Sequence, residues 1–305
     1  MFISVFTQVA ILFVLILLGA ILTKKDIFTE KGISVMTDLV LFLATPCVII
    51  KSFFREFDAS TFKKLLISFL IAFLAHIGFI ILSRIFLRDK NERSQKVLQF
   101  GVIFSNCGYM SIPLQQALLG EDGVFYGSSY IAIFQLFIWS YGILLMSGDK
   151  KFLSPKKILI SPGMIGITIG LIIFLFSIPV PKVVSEPISY LASLNTPLPM
   201  LIIGYHLMKS NIFEGLKNLK CFFAIGIKLF LFPLLALGVM YICGVRGTML
   251  VSSVISFSAP TAAITTMFSD KYSCDTALSV NMVSISTLLS LISMPLLITF
   301  AQYLA

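Results

Sequence analysis

The sequence predicts an all-α integral membrane protein of ten transmembrane helices, arranged as two inverted five-helix repeats with broken helices 4 and 9. Three observations lead there. Of 305 residues, 58% are hydrophobic and only 12% charged, far from the balance of a water-soluble domain. Ten apolar windows are each long enough, at about 20 residues, to cross a ~30 Å hydrocarbon core as a helix. Proline landmarks in the first half of the chain return in the second.

The windows run 3–22, 33–54, 65–87, 97–119, 124–147, 158–177, 187–208, 219–243, 247–268 and 276–300, joined by short connections with no room for a soluble domain. No basic residue precedes the first window and Lys24 and Lys25 follow it. That is the reverse of a secretory signal's charge order, so the segment is expected to remain as the first helix. Basic residues track the loops. Sixteen Lys/Arg fall in the loops after windows 1, 3, 5, 7 and 9, six fall on the opposite side, and Lys228 inside window 8 completes the 23. The richer side is expected to be cytoplasmic, which puts both termini outside. The net charge of +9 therefore reports topology and a lipid bilayer as surroundings, with no nucleic-acid partner. Cys47, Cys107, Cys221, Cys243 and Cys274 show no C-x-x-C spacing, so neither a disulfide framework nor a metal site is expected.

Thr45-Pro46 in window 2 recurs as Thr196-Pro197 in window 7, 151 residues on, and Pro113 in window 4 recurs as Pro260 in window 9, 147 residues on. Two landmarks at nearly one offset predict homologous halves, 1–150 and 151–305. Five helices per half is an odd number, so the second half enters from the opposite face. Such inverted repeats are common among secondary transporters.

The stretch FSNCGYMSIPLQQALLGEDG, residues 104–123, places polar and helix-breaking residues inside an apolar run. Pro113 lacks an N–H and its ring crowds the Tyr109 carbonyl, while Gly108 loosens the same turn, so a break is expected there. Pro260, between Ser258 and Thr261 in its near sequence, predicts a matching break. Free backbone groups survive at that depth only against protein or a water-filled cavity. If the breaks cross, their half-helix N-termini favour an anion at the midplane. Asn106, Gln115 and Gln116 are candidate ligands beside the break, and either glutamine serves equally as a bond to a neighbouring helix. Lys228 reads equally as a functional buried charge or as a snorkelling side chain. Asp38 is the lone acidic candidate for proton coupling, or an interfacial residue; His76 and His206 read as packed. No nucleophile–base set, H-E-x-x-H or phosphate loop is present, so no enzyme activity and no cofactor are expected.

These residues resemble the auxin efflux carrier family, which includes plant PIN-FORMED proteins and many bacterial transporters, over essentially the whole chain. SNCGYMSIP followed by Gly120-Glu121-Asp122-Gly123 is similar to the family's G-N-T-G segment, proline and G-E-x-G turn, with Ser105 and Cys107 in place of Gly and Thr. FQLFIWSYG resembles the family's fifth helix, and Lys228 with Pro233 matches a basic residue five before a proline. In window 9, Pro260 and Thr261 fit, while Ile264 stands where many members carry Asn. The resemblance implies helices 4 and 9 crossing at their prolines and alternating-access transport of small organic anions, such as malate, malonate or auxin-like acids. It implies a substrate site drawn from Asn106, Cys107, Gly108, Pro113, Gln115, Gln116, Pro260, Thr261, Pro46, Pro197 and Lys228. A bacterial inner-membrane carrier is expected, because the long loop found in many plant members is replaced by GDKKFLSPKK. A coupling ion, H+ or Na+, and a homodimer stay open. Sodium-coupled bile acid uptake on a similar fold and a non-transporting receptor or scaffold are the competing functions.

Overall fold

The computed structural model describes residues 2–153, 156, 159–209 and 218–305. Residues 154, 155, 157 and 158, which fall in the expected 148–157 loop and at the start of the sixth window, and Lys217 lie outside the described residues. Apart from one isolated bridge, every regular element described is helical.

Helix α1 (Phe2–Lys24) is followed by α2 (Glu30–Leu39), which runs through a π turn at Val40–Ala44 into α3 (Thr45–Ser52). Then come α4 (Ala59–Phe86), α5 (Glu92–Ile103), a π turn at Cys107–Ser111, α6 (Ile112–Phe137), a further π turn at Ile138–Gly142, and α7 (Ile143–Ser147). The second half contains α8 (Pro162–Leu175), α9 (Lys182–Ser193), α10 (Pro197–Lys209), α11 (Leu219–Gly226) with a π turn at Ile227–Leu231, α12 (Phe232–Ile242), α13 (Gly247–Ser258), α14 (Ile264–Lys271) and α15 (Thr276–Leu304). Among the described residues, six continuous helical stretches are long and apolar enough to cross a membrane, and Pro162–Leu175 and Gly247–Ser258 are shorter apolar helices. Large apolar side chains such as Ile3, Val14, Phe42, Val183 and Ile242 point outward. An apolar surface of that extent suits lipid, not water.

Side-chain caps mark where helices start at the ends of the bundle. Thr29, Asp58, Asn91, Asn218 and Asp275 each accept a backbone N–H from the first turn that follows, satisfying donors a helix start leaves open. The connections then tie together at two ends. At one, Arg55 donates to Asp122 and the Phe57 N–H donates to Ser177. At the other, Ser94 donates to Asp275, and Lys220 donates to Asp89 at 2.6 Å, holding the Asp89 carboxyl below the ordinary carboxylate range.

Glycine permits the closest packing. Helices α1 and α10 meet at Gly19 and Gly204, where a Cβ on Gly204 would stand 2.0 Å from the Ile16 carbonyl oxygen. Small residues let membrane helices approach to backbone contact in this way. Gly120, at φ 63 and ψ −150, occupies the left-handed region and turns the chain within the Cys107–Ser147 stretch, which glycine does without a Cβ penalty.

Pro113 does not break its helix, contrary to expectation. The chain leaves helical geometry earlier, at residues 104–106, and resumes with the π turn at Cys107–Ser111. The Ile112 N–H reaches the Cys107 carbonyl five residues back. This wider turn moves the carbonyls away from the proline ring and sets its missing donor where the hydrogen-bond ladder changes step. Pro46 and Pro233 use the same device: Thr45 bonds back to Val40, and Phe232 to Ile227. Pro260 has no such turn before it, and there the helix ends, with Ala259 extended at ψ 147.

Candidate functional site

Two broken helices meet through their unwound segments. Ser105 and Thr261 form an antiparallel bridge. The Asn106 N–H donates to the Pro260 carbonyl at 2.8 Å, and the Ala262 N–H donates to the Phe104 carbonyl at 3.0 Å. Each break thus satisfies the backbone groups the other exposes, which lipid could not do. Thr261 adds a hydroxyl bond to the Gly101 carbonyl, and its N–H donates to Ser286. Helix C-termini at Ile103 and Ser258 and helix N-termini after Asn106 and Ala263 converge here, so partial charges of both signs face one region.

Lys228 reaches into this crossing. Its side chain is fully buried, at 0% exposure, so the snorkelling alternative is set aside by the geometry. The ammonium donates to the Ser105 hydroxyl and, at 3.3 Å, to the Phe257 carbonyl. The second bond supplies a donor to the last turn of α13, where helix carbonyls lack partners and a cation is favoured. The π turn at Ile227–Leu231 carries Lys228, so the Pro233 device also shapes the helix at this point. No carboxylate pairs with Lys228 among the described residues.

Asn106 is 7% exposed and caps nothing, leaving its amide uncommitted to the turn that follows. Cys107 is buried beside it, while a Cβ on Gly108 would meet nothing within 4 Å. Two groups that the sequence did not single out for this site complete the surroundings. The Tyr130 hydroxyl faces Ser105 without a well-formed bond, and the His76 ring lies 4.9 Å from that of Tyr130 with its Nε2 unpartnered among the described residues. No local motif marks either residue; only the packing of α4 and α6 brings them in.

The remaining candidates separate from the crossing. Pro113 and Gln116 line a cavity of about 290 Å³ with Val48, Lys51, Asn195 and Thr196 among its walls. Pro197 follows Thr196 at the start of α10, and the Thr45 hydroxyl donates to Asn195 at 2.8 Å, joining the two Thr-Pro landmarks. Pro46 packs against α8, where a Cβ on Gly166 would stand 3.0 Å from its Cα. The Gln115 amide donates to the Ser252 carbonyl and the Ser256 hydroxyl on α13, at 3.0 and 2.9 Å, so it ties two helices. Asp38 is exposed.

Residues 4–155 and 150–298 match the family described as membrane transport protein, that of the auxin efflux carriers. The chain belongs to that family. It is 25% identical to an uncharacterized transporter of Methanothermobacter thermautotrophicus over 287 residues, covering 93% of this chain and 94% of the relative. An uncharacterized transporter of Methanocaldococcus jannaschii is 22% identical over 298 residues, with the same coverage of both chains. The family, these relatives and the apolar helices make it a multi-pass membrane transporter, helical among the described residues.

Proposed function

We propose that the protein is a secondary carrier of small organic anions, carboxylates such as malate, malonate or auxin-like acids, working by alternating access. In this reading the helical segments make ten crossings as two inverted repeats, 1–150 and 151–305, with both termini outside. The observation that carries it is Lys228. A fully buried ammonium with two neutral partners leaves a charge uncompensated. Burying an ion costs several kcal/mol unless a counter-charge offsets it, and a transported carboxylate is such a counter-charge. Asn106, with an amide free of capping duty, and the helix N-terminus after it supply donors for the same anion.

The crossing also suits movement. It is held by two short unwound segments, 104–106 and 260–262, not by a continuous helix, so rocking one repeat against the other need not break a long hydrogen-bond ladder. Thermal unfolding of purified protein with malate, malonate and indole-3-acetate tests the reading. A ligand that binds only the folded state raises the melting temperature, by about 2.7 kcal/mol of added stability at a hundred times its Kd. Stabilisation by at least one carboxylate and none by neutral amide analogues is expected; no response to any small organic anion contradicts it.

A further inference from the structure

The Gly120-Glu121-Asp122-Gly123 turn presents two carboxylates to two cations at the end of α3. The two pairs differ. Arg55 holds Asp122 at 2.6 Å, donates from Nε to the Ser52 carbonyl, and lays its guanidinium 4.4 Å from the centre of the Phe125 ring. Lys51 meets Glu121 at 3.5 Å, with side chains 31% and 45% exposed. A loose, solvent-facing lysine pair contributes little, so the Lys51 ammonium is free to change partner at small cost.

Lys51 also lines the 290 Å³ cavity, and no other wall residue is charged. A volume of about 290 Å³ is enough for a small organic acid. Gln116, Ser189, Ser193, Asn195 and Thr196 offer amide and hydroxyl groups, and Val48, Ile112, Pro113 and Ala192 form an apolar wall. Pro113 and Gln116 belong to the helical run that begins beside Asn106. Seven residues separate Pro113 from Asn106, about 10 Å of helix rise. The cavity therefore lies along the same helix as the crossing.

We infer that this cavity is a staging site for a carboxylate, distinct from the crossing, in which the ligand's carboxylate displaces Glu121 from Lys51. The inference rests on the anion-carrier reading for what then happens to the ligand, but not for its binding. Glu121 is the resident stand-in for the ligand: it pairs with Lys51 until a carboxylate enters. Loading the site releases Glu121 and leaves Arg55–Asp122 as the remaining ion pair between α3 and the turn.

The proposal makes opposite predictions for the two members of one ion pair. Malonate and indole-3-acetate serve as probes, with affinity read from the concentration dependence of thermal stabilisation and, in proteoliposomes, from the KM of influx. Lys51→Gln is expected to weaken affinity for the better probe by about tenfold, since it removes a charge-assisted bond, with Lys51→Arg restoring most of it. Glu121→Gln is expected to tighten affinity several-fold, because the internal competitor is gone. Lys63→Gln, an exposed lysine on α4, controls for general surface charge and is expected to match wild type. Equal affinity in wild type and Lys51→Gln, or weaker binding in Glu121→Gln, overturns the inference while leaving the carrier reading intact. A wild type that binds neither probe overturns both. Binding that is lost in Lys51→Gln without transport of either probe in wild type supports the staging site and removes the carrier reading alone.

Discussion

Lys228→Met removes the buried charge and keeps an unbranched side chain of similar reach. Two effects on stability oppose each other. The substitution relieves the desolvation of an ion at 0% exposure, worth several kcal/mol. It also strands the Ser105 hydroxyl and the Phe257 carbonyl, at about 1–3 kcal/mol each. The folded state is therefore expected to change little, or to gain up to about 3 kcal/mol. Anion binding loses a charge-assisted contact worth about 1.5–3 kcal/mol, which at 1.4 kcal/mol per tenfold weakens affinity by about 10- to 140-fold. Melting temperature and carboxylate affinity are measured on one preparation. A variant that melts far below wild type yet binds with wild-type affinity would refute the reasoning, making Lys228 a pin for the α13 terminus with no part in binding.

Three further outcomes follow from the packing. Gly204→Leu is expected to lower stability by at least about 1–3 kcal/mol, the usual cost of overpacking, because its Cβ would overlap the Ile16 carbonyl oxygen at 2.0 Å; thermal unfolding measures this. Gln115→Leu is expected to cost about 1–3 kcal/mol by leaving the α13 groups it contacts unsatisfied, with KM unchanged, and a KM shift without destabilisation would place Gln115 on the substrate instead. A membrane-impermeant maleimide is expected to label the exposed Cys243 in intact cells and to miss a cysteine introduced at Lys151; the opposite pattern would invert the assignment that the basic loops are cytoplasmic.

Much of the architecture was legible because lipid imposes a simple rule on composition. Long apolar runs read directly as helices α1, α4 and α15, and the break at Pro260 follows from its missing donor. Pro113 misled because a proline does not always break its helix. The helix ends before Pro260, a π turn precedes Pro46, Pro113 and Pro233, and Pro187 and Pro295 sit inside continuous helices α9 and α15. Local sequence did not separate them, since the choice depends on what pairs with the freed backbone. At residues 104–106 that partner is 260–262, more than 150 residues away in the chain. The candidate site shows the same limit. Asn106, Pro260, Thr261 and Lys228 were recognisable by type and depth, but Ser105, Tyr130 and His76 gain their places from neighbouring helices alone. Lys51 gains its place from the cavity wall alone.

Carrier counterflow tests the central claim most directly. Proteoliposomes preloaded with an unlabelled carboxylate that stabilises the protein are diluted into a trace of the same labelled compound. Alternating access predicts transient uptake of label above equilibrium, driven by exchange through one site, and its loss in Lys228→Met. Label that never exceeds equilibration in protein-free vesicles, from folded protein and across malate, malonate and indole-3-acetate, would contradict the account.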